Sequence, residues 1–163
     1  MNHGYTKIKN SITYHLDKFL KDSNILLITG LSGAGKTTLS KELQEQLKKS
    51  GRENVIVCEL DKVLGIYFHE DSNEVDYNKL IKYINKCKED KDHIYIIEGV
   101  HMWLLDYYDQ LELPLIILVS NMIKCIYNVW KRSGIINKQQ IKQYIRYNRE
   151  FRRYKKIIKE VNQ

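Results

Sequence analysis

Residues 25–39 read ILLITGLSGAGKTTL, and within them Gly30-Leu31-Ser32-Gly33-Ala34-Gly35-Lys36-Thr37 fits a glycine, four free positions and then Gly-Lys-Thr. Nothing else in the chain restricts the fold as strongly. The pattern needs a buried strand before it and a helix after it, and both are legible. Residues 25–29 form an apolar run, and from Lys36 to Lys49 the leucines Leu39, Leu43 and Leu47 recur every four residues before Ser50-Gly51 stops the helix. Between such elements the glycines let the backbone curl so that successive N–H groups face an anion at the positive end of the helix. Gly30 to Thr38 are therefore expected to cradle the phosphates of a nucleotide, with Lys36 reaching the β- and γ-phosphates and the Thr37 hydroxyl ligating Mg²⁺.

The rest of the chain alternates strand and helix. A first amphipathic helix is expected from Ile8, Ile12, Leu16, Phe19 and Leu20. NVIVCELD reads as a second strand ending at Asp61. Tyr77, Leu80, Ile81, Ile84 and Cys87 mark a helix, HIYIIEG a third strand, and PLIILVS a fourth strand behind the only proline, Pro114. Two helices finish the chain, over residues 122–132 and 138–159, the second with Ile141 and Ile145, and with Tyr144, Tyr147 and Phe151, turned inward. Apolar strands alternating with helices predict an α/β fold of three layers, a parallel sheet of four to five strands flanked by helices as in P-loop NTP hydrolases. With 163 residues, one domain over 1–163 is expected.

Composition narrows the classes. An apolar fraction of 43% with 29% charged residues, and no apolar run near the ~20 residues of a membrane span, describes a soluble globular protein. The N-terminus shows no secretory pattern, so the expected location is cytoplasmic, without a membrane partner. Cys58, Cys87 and Cys125 are odd in number and far apart, which points to buried thiols rather than to disulfides or a metal site. The net charge of +7 favours anionic partners. Lys and Arg crowd the final third, as a solvated helix face or as a nucleic-acid site.

In an open parallel sheet, ligands gather at the carboxyl ends of the strands. Two acids are expected there. Glu98, after IYII, either holds Mg²⁺ through water or simply ends a strand. Asp61 either takes a proton from an attacking hydroxyl or caps a short helix. Arg132, before Gly134, is the first candidate for a cation over the migrating phosphoryl group. Arg146, Arg149 and Arg153 share a helix face, Arg152 lies beside them, and each is otherwise a solvated residue. His69 and His101 would border an acceptor pocket or stand at the surface. Trp103, Tyr107 and Tyr108 would stack on a base or pack in the core.

ITGLSGAGKTTLSKEL, ELDKVLGIYFHEDSNEVDYNKLIKYI and IYIIEGVHMW follow one another in the order and style of the uridine kinases, which this chain resembles over residues 25–103. The resemblance implies ATP and Mg²⁺ as cofactors, Asp61 as catalytic base and Glu98 near the metal. Three family features differ: KCKEDKDHIYIIEG leaves no room for the acceptor-binding hairpin, the arginine-rich lid is reduced to VWKRSG, and no fifth strand is expected after the last helix. Compact P-loop kinases such as adenylylsulfate and gluconate kinases share that brevity. The expected activity is ATP- and Mg²⁺-dependent transfer of the γ-phosphate to a hydroxyl of a small metabolite, with GTP as an alternative donor. A polynucleotide 5′-kinase and a nucleotide-binding ATPase or switch are the rival readings. NKQQ at Asn137 lacks the aspartate of a guanine-reading segment.

Overall fold

The computed structural model describes residues 16, 20–63, 77–99, 113–118, 121–142, 144–146 and 148–149. Four strands, β1 (Ile25–Gly30), β2 (Val55–Glu59), β3 (Ile94–Gly99) and β4 (Leu115–Leu118), form one sheet in the order β2-β3-β1-β4. All three pairings are parallel. Around them lie α1 (Lys36–Lys49), α2 (Leu60–Val63), α3 (Tyr77–Glu89) and α4 (Met122–Ser133). Helical backbone resumes at residues 138–142 and continues at 144–146 and 148–149. The fold is the expected α/β arrangement, with four strands among the described residues.

Side chains of a strand point alternately to the two faces of a sheet, so a continuous apolar run feeds two cores at once. β1 does this. Leu26 and Ile28 join Leu39, Leu43 and Leu47 of α1 on one face. Ile25 and Leu27 join Leu80, Ile84 and Cys87 of α3 on the other. Leu39 and Leu43 are wholly buried, and each contributes on the order of 1.5–3 kcal/mol over leaving it in water. Of the expected N-terminal helix, Leu16 is helical and Leu20 stands in a turn, and both pack on the α1 side. A third cluster joins Leu31 of the glycine-rich loop to Cys125 of α4 and to Tyr144.

The end of α1 follows the expected stop: the Ser50 N–H bonds back to the last turn and Gly51 takes the left-handed conformation. α4 starts at Asn121, whose side chain accepts from the Ile123 and Lys124 N–H groups, and it stops at Gly134 with φ 73°. At the opposite end of the sheet from the loop, the Asn24 amide donates to the carbonyls of Cys87, Asp90 and His93 and fixes the entry of β1 beside β3. All three cysteines are buried, as expected.

Two expectations change. β2 ends at Glu59, two residues before Asp61, because its ladder with β3 ends at the pair Glu59↔Glu98 and the wholly buried Leu60 opens the helical turn α2. Ile141 and Ile145 face outward, 40% and 46% exposed, whereas Tyr144 is 5% exposed. Tyr144 occupies the inner position, where its ring packs with Leu31 and Cys125 and its hydroxyl reaches the glycine-rich loop. The remainder of that helix, the N-terminal helix before Leu16, Tyr147 and Phe151 lie outside the described residues.

Candidate active site

The loop between β1 and α1 is shaped by its glycines and by donors that hold its carbonyls. Gly33 has φ +82°, and a Cβ built there would lie 2.5 Å from the Cys125 carbonyl oxygen, so only glycine lets α4 approach this closely. Gly35, at φ 95°, is the left-handed residue from which α1 departs. Tyr144 Oη donates to the Ser32 carbonyl at 3.1 Å. Asn128 Nδ2 donates to the Gly33 carbonyl at 3.0 Å. In a trans peptide the C=O of one residue and the N–H of the next point in opposite directions. Drawing the Ser32 carbonyl out toward Tyr144 therefore turns the Gly33 N–H to the opposite side.

Lys36, the first residue of α1, is 9% exposed, and its Nζ donates to the Leu31 carbonyl at 3.0 Å and the Gly30 carbonyl at 3.2 Å. Burial pushes the ammonium below its ordinary pKa range. Glu98 and then Asp61 oppose that with negative charge, and Arg132 adds a smaller push in the same direction as burial. Arg132 itself is exposed in the last turn of α4. Thr37 and Thr38 stand exposed in the first turn of α1.

Glu98, the penultimate residue of β3, lies beside the loop and is 4% exposed. Its Oε1 accepts from the Thr37 hydroxyl at 2.8 Å. Its Oε2 is buried with no hydrogen-bond partner among the described residues. Burial raises the carboxyl above its usual range, against the Thr37 hydrogen bond and the Lys36 charge, which lower it. The Thr29 hydroxyl donates to the Gly99 carbonyl at 2.9 Å and ties the ends of β1 and β3 together, which keeps Glu98 level with the loop. An uncompensated buried carboxylate oxygen is costly, and here it stands next to a hydroxyl. Two hard oxygen donors in that arrangement fit Mg²⁺.

Asp61 sits in the first turn of α2, half-buried, where its charge acts on both Lys36 and Glu98. The structure thus brings Lys36, Thr37, Asp61 and Glu98 to one end of the sheet with Gly30 to Gly35 between them. Arg146 and Arg149 are exposed on the last helical segment. His69, His101, Trp103, Tyr107, Tyr108, Arg152 and Arg153 lie outside the described residues. Asn128 and Tyr144 were not foreseen as loop contacts. The signal for Asn128 is its place on the face of α4 that carries Met122, Cys125 and Val129, where one amide interrupts an apolar row.

A family model described as an AAA domain matches residues 26–127, most of the chain, including Lys36, Thr37, Asp61 and Glu98. The chain belongs to this AAA-domain family. It is also similar to a putative adenylate kinase of Methanococcus maripaludis (strain C7), 39% identical over 66 residues that cover 37% of this chain and 36% of that protein. The match spans about a third of the relative's length. Among solved structures, the crystal structure of APE1195 aligns with a TM-score of 0.49 at 17% identity, over 69% of this chain and 68% of that one. The chain has the three-layer P-loop fold. Among the described residues no helix is long and apolar enough to cross a membrane.

Proposed function

We propose that the protein is a phosphotransferase that uses ATP and Mg²⁺ and moves the γ-phosphate to a hydroxyl of a small metabolite. The observation that carries this reading is the grouping of Lys36, the Thr37–Glu98 pair with its buried unpartnered oxygen, and Asp61 at one end of the sheet. In this reading the loop from Gly30 to Thr38 binds the triphosphate. The phosphates take over the Lys36 ammonium from the Gly30 and Leu31 carbonyls and restore the proton affinity that burial has lowered. Thr37 and Glu98 would hold Mg²⁺, which supplies positive charge to the β- and γ-phosphate oxygens when bound.

Asp61 stands close enough to Lys36 and Glu98 to share their field while remaining half-buried. That is the place for a base that accepts the proton of an acceptor hydroxyl as it attacks the γ-phosphorus. Arg132, at the open end of α4, would supply charge to the transferring group from the outer side. The likeness to a putative adenylate kinase supports a nucleotide as acceptor, and the resemblance to uridine kinases supports a nucleoside. A sugar alcohol or a sulfated nucleotide fits the same chemistry.

The test is ADP release from ATP and Mg²⁺ in the presence of nucleosides, nucleoside monophosphates, sugars, sulfated nucleotides and 5′-hydroxyl oligonucleotides, with Lys36→Ala as the blank. The expected result is acceptor-dependent ADP formation with one of the small molecules. Asp61→Asn is then expected to lower turnover by about 10²–10⁴-fold, the usual worth of a positioned base, with ATP binding nearly unchanged. Turnover equal to wild type would remove Asp61 from the base role, and slow hydrolysis indifferent to every acceptor would remove the kinase reading.

A further inference from the structure

The inner face of α4 is used by the loop. Its outer face is not. Ile123, Tyr127 and Trp130 follow at steps of four and three, which is one face of a helix, and they are 73%, 53% and 52% exposed. The Tyr127 and Trp130 rings lie with centroids 6.1 Å apart and planes tilted by 38°. Ile135, 76% exposed, continues the apolar surface past the end of the helix.

This surface lies within a stretch of sequence rich in positive charge. Of the 27 Lys and Arg in the chain, seven fall within residues 121–149, a stretch without Asp or Glu, and the other twenty are matched by the 20 acids elsewhere. The segment alone therefore carries a net charge of +7. All seven, Lys124, Lys131, Arg132, Lys138, Lys142, Arg146 and Arg149, are exposed. Lys138, Lys142 and Arg146 recur every fourth residue on helical backbone, a row with a rise of about 6 Å between charges, suited to follow an extended polyanion.

We propose that the outer face of α4 and the helical segment after it form a docking surface for single-stranded nucleic acid, with Tyr127 and Trp130 as stacking platforms and the lysines and arginines along the backbone. Exposed aromatic rings beside a track of cations are what an unpaired strand recognises, because every base offers a flat face. A membrane surface calls for an apolar stripe about 100° wide. Three positions within about 60° of one another are narrower than that, and two of the three are aromatic. An acidic peptide would neutralise the cations yet bring no flat partner for the rings. Because the face lies opposite Asn128 and Cys125, a strand bound there is a docked ligand and not the phosphoryl acceptor. The inference stands apart from the kinase reading and survives its failure.

The experiment is fluorescence anisotropy of fluorescein-labelled 20-residue oligo-dT and oligo-U strands with the full chain, from 50 to 300 mM salt. Saturable binding is expected, with a slope of log K against log salt of about −3 to −5 for four to seven phosphate contacts. The double variant Tyr127→Ala/Trp130→Ala is expected to bind at least about tenfold more weakly, with its circular dichroism and MgATP binding unchanged. Lys138→Glu/Lys142→Glu is expected to flatten the salt slope by more than one unit, and it decides the matter should the aromatic variant not fold. The proposal is overturned if no binding is seen at 50 mM salt, or if the folded aromatic variant binds as tightly as wild type. It is overturned equally if a duplex of the same length binds as well as the single strand. Preferential cosedimentation with phosphatidylserine vesicles that is lost in the same variants would also overturn it.

Discussion

Replacing Gly33 by alanine tests the seating of α4 on the loop. Two costs combine at this position. A left-handed φ of +82° strains any residue with a Cβ, by about 1–2 kcal/mol, and the new methyl would also meet the Cys125 carbonyl oxygen at 2.5 Å. That carbonyl cannot retreat freely, since Cys125 is wholly buried against Leu31 and Tyr144. Overpacking of this kind costs about 1–3 kcal/mol, so Gly33→Ala is expected to lose about 2–5 kcal/mol in all. Gly51 is an internal control: its φ is +92°, yet a Cβ there meets nothing within 4 Å. Gly51→Ala should therefore show the strain alone, about 1–2 kcal/mol. Urea unfolding followed by circular dichroism at 222 nm measures both. If Gly33→Ala costs no more than Gly51→Ala, α4 does not lie against the loop as described.

Tyr144→Phe removes one hydrogen bond to the loop, at Ser32, while leaving the buried ring in place. About 1 kcal/mol is at stake, and a fivefold weakening of MgATP binding with little change in fold is expected from calorimetric titration. Unchanged affinity would mean that the loop keeps its shape without the tyrosine. Away from the site, Tyr95 Oη donates to Asp90 at 2.6 Å, and this bond pushes the phenol up to about 12 and holds the Asp90 carboxyl below its usual range. A raised phenol stabilises the fold while it is neutral. Its contribution is complete below the ordinary tyrosine value of about 10 and fades as pH climbs through about 12. Asp90 acts at the other end, contributing above the ordinary carboxylate value and losing that contribution as pH falls through its depressed one. Tyr95→Phe should therefore be less stable than wild type at pH 8, with the difference shrinking above pH 10 in unfolding curves. A difference that stays constant across that range would show that the hydrogen bond contributes nothing.

The strand, loop and helix from Ile25 to Lys49 were legible because each signal is local: an apolar run, glycines where the backbone turns left-handed, and leucines every fourth residue. The same holds for Thr37 and Glu98 in part. The sequence placed each at the end of an element, and the order β2-β3-β1-β4 then set them side by side. The position of Asp61 was harder to read because the end of β2 depends on where the ladder with β3 stops, a property of two segments about 35 residues apart. Asn128 and Tyr144 reach the loop across 95 and 112 residues of chain, and no local pattern encodes such contacts. Helical spacing grouped Ile141 and Ile145 on one face correctly. The face that turns inward is the one carrying the Tyr144 ring, which packs with Leu31 and Cys125 while its hydroxyl meets the loop.

The most direct measurement is calorimetric titration of ATP with and without Mg²⁺ into wild type and Glu98→Gln, a substitution that keeps the shape of the side chain and removes its charge. Wild type should bind ATP more tightly with the metal than without it, and the variant should lose about 10- to 100-fold of that metal-dependent gain, the scale set by residues that hold or orient a metal. A gain of the same size in both proteins, or no affinity for ATP in either, would contradict the assignment of Thr37 and Glu98 to a metal–triphosphate site.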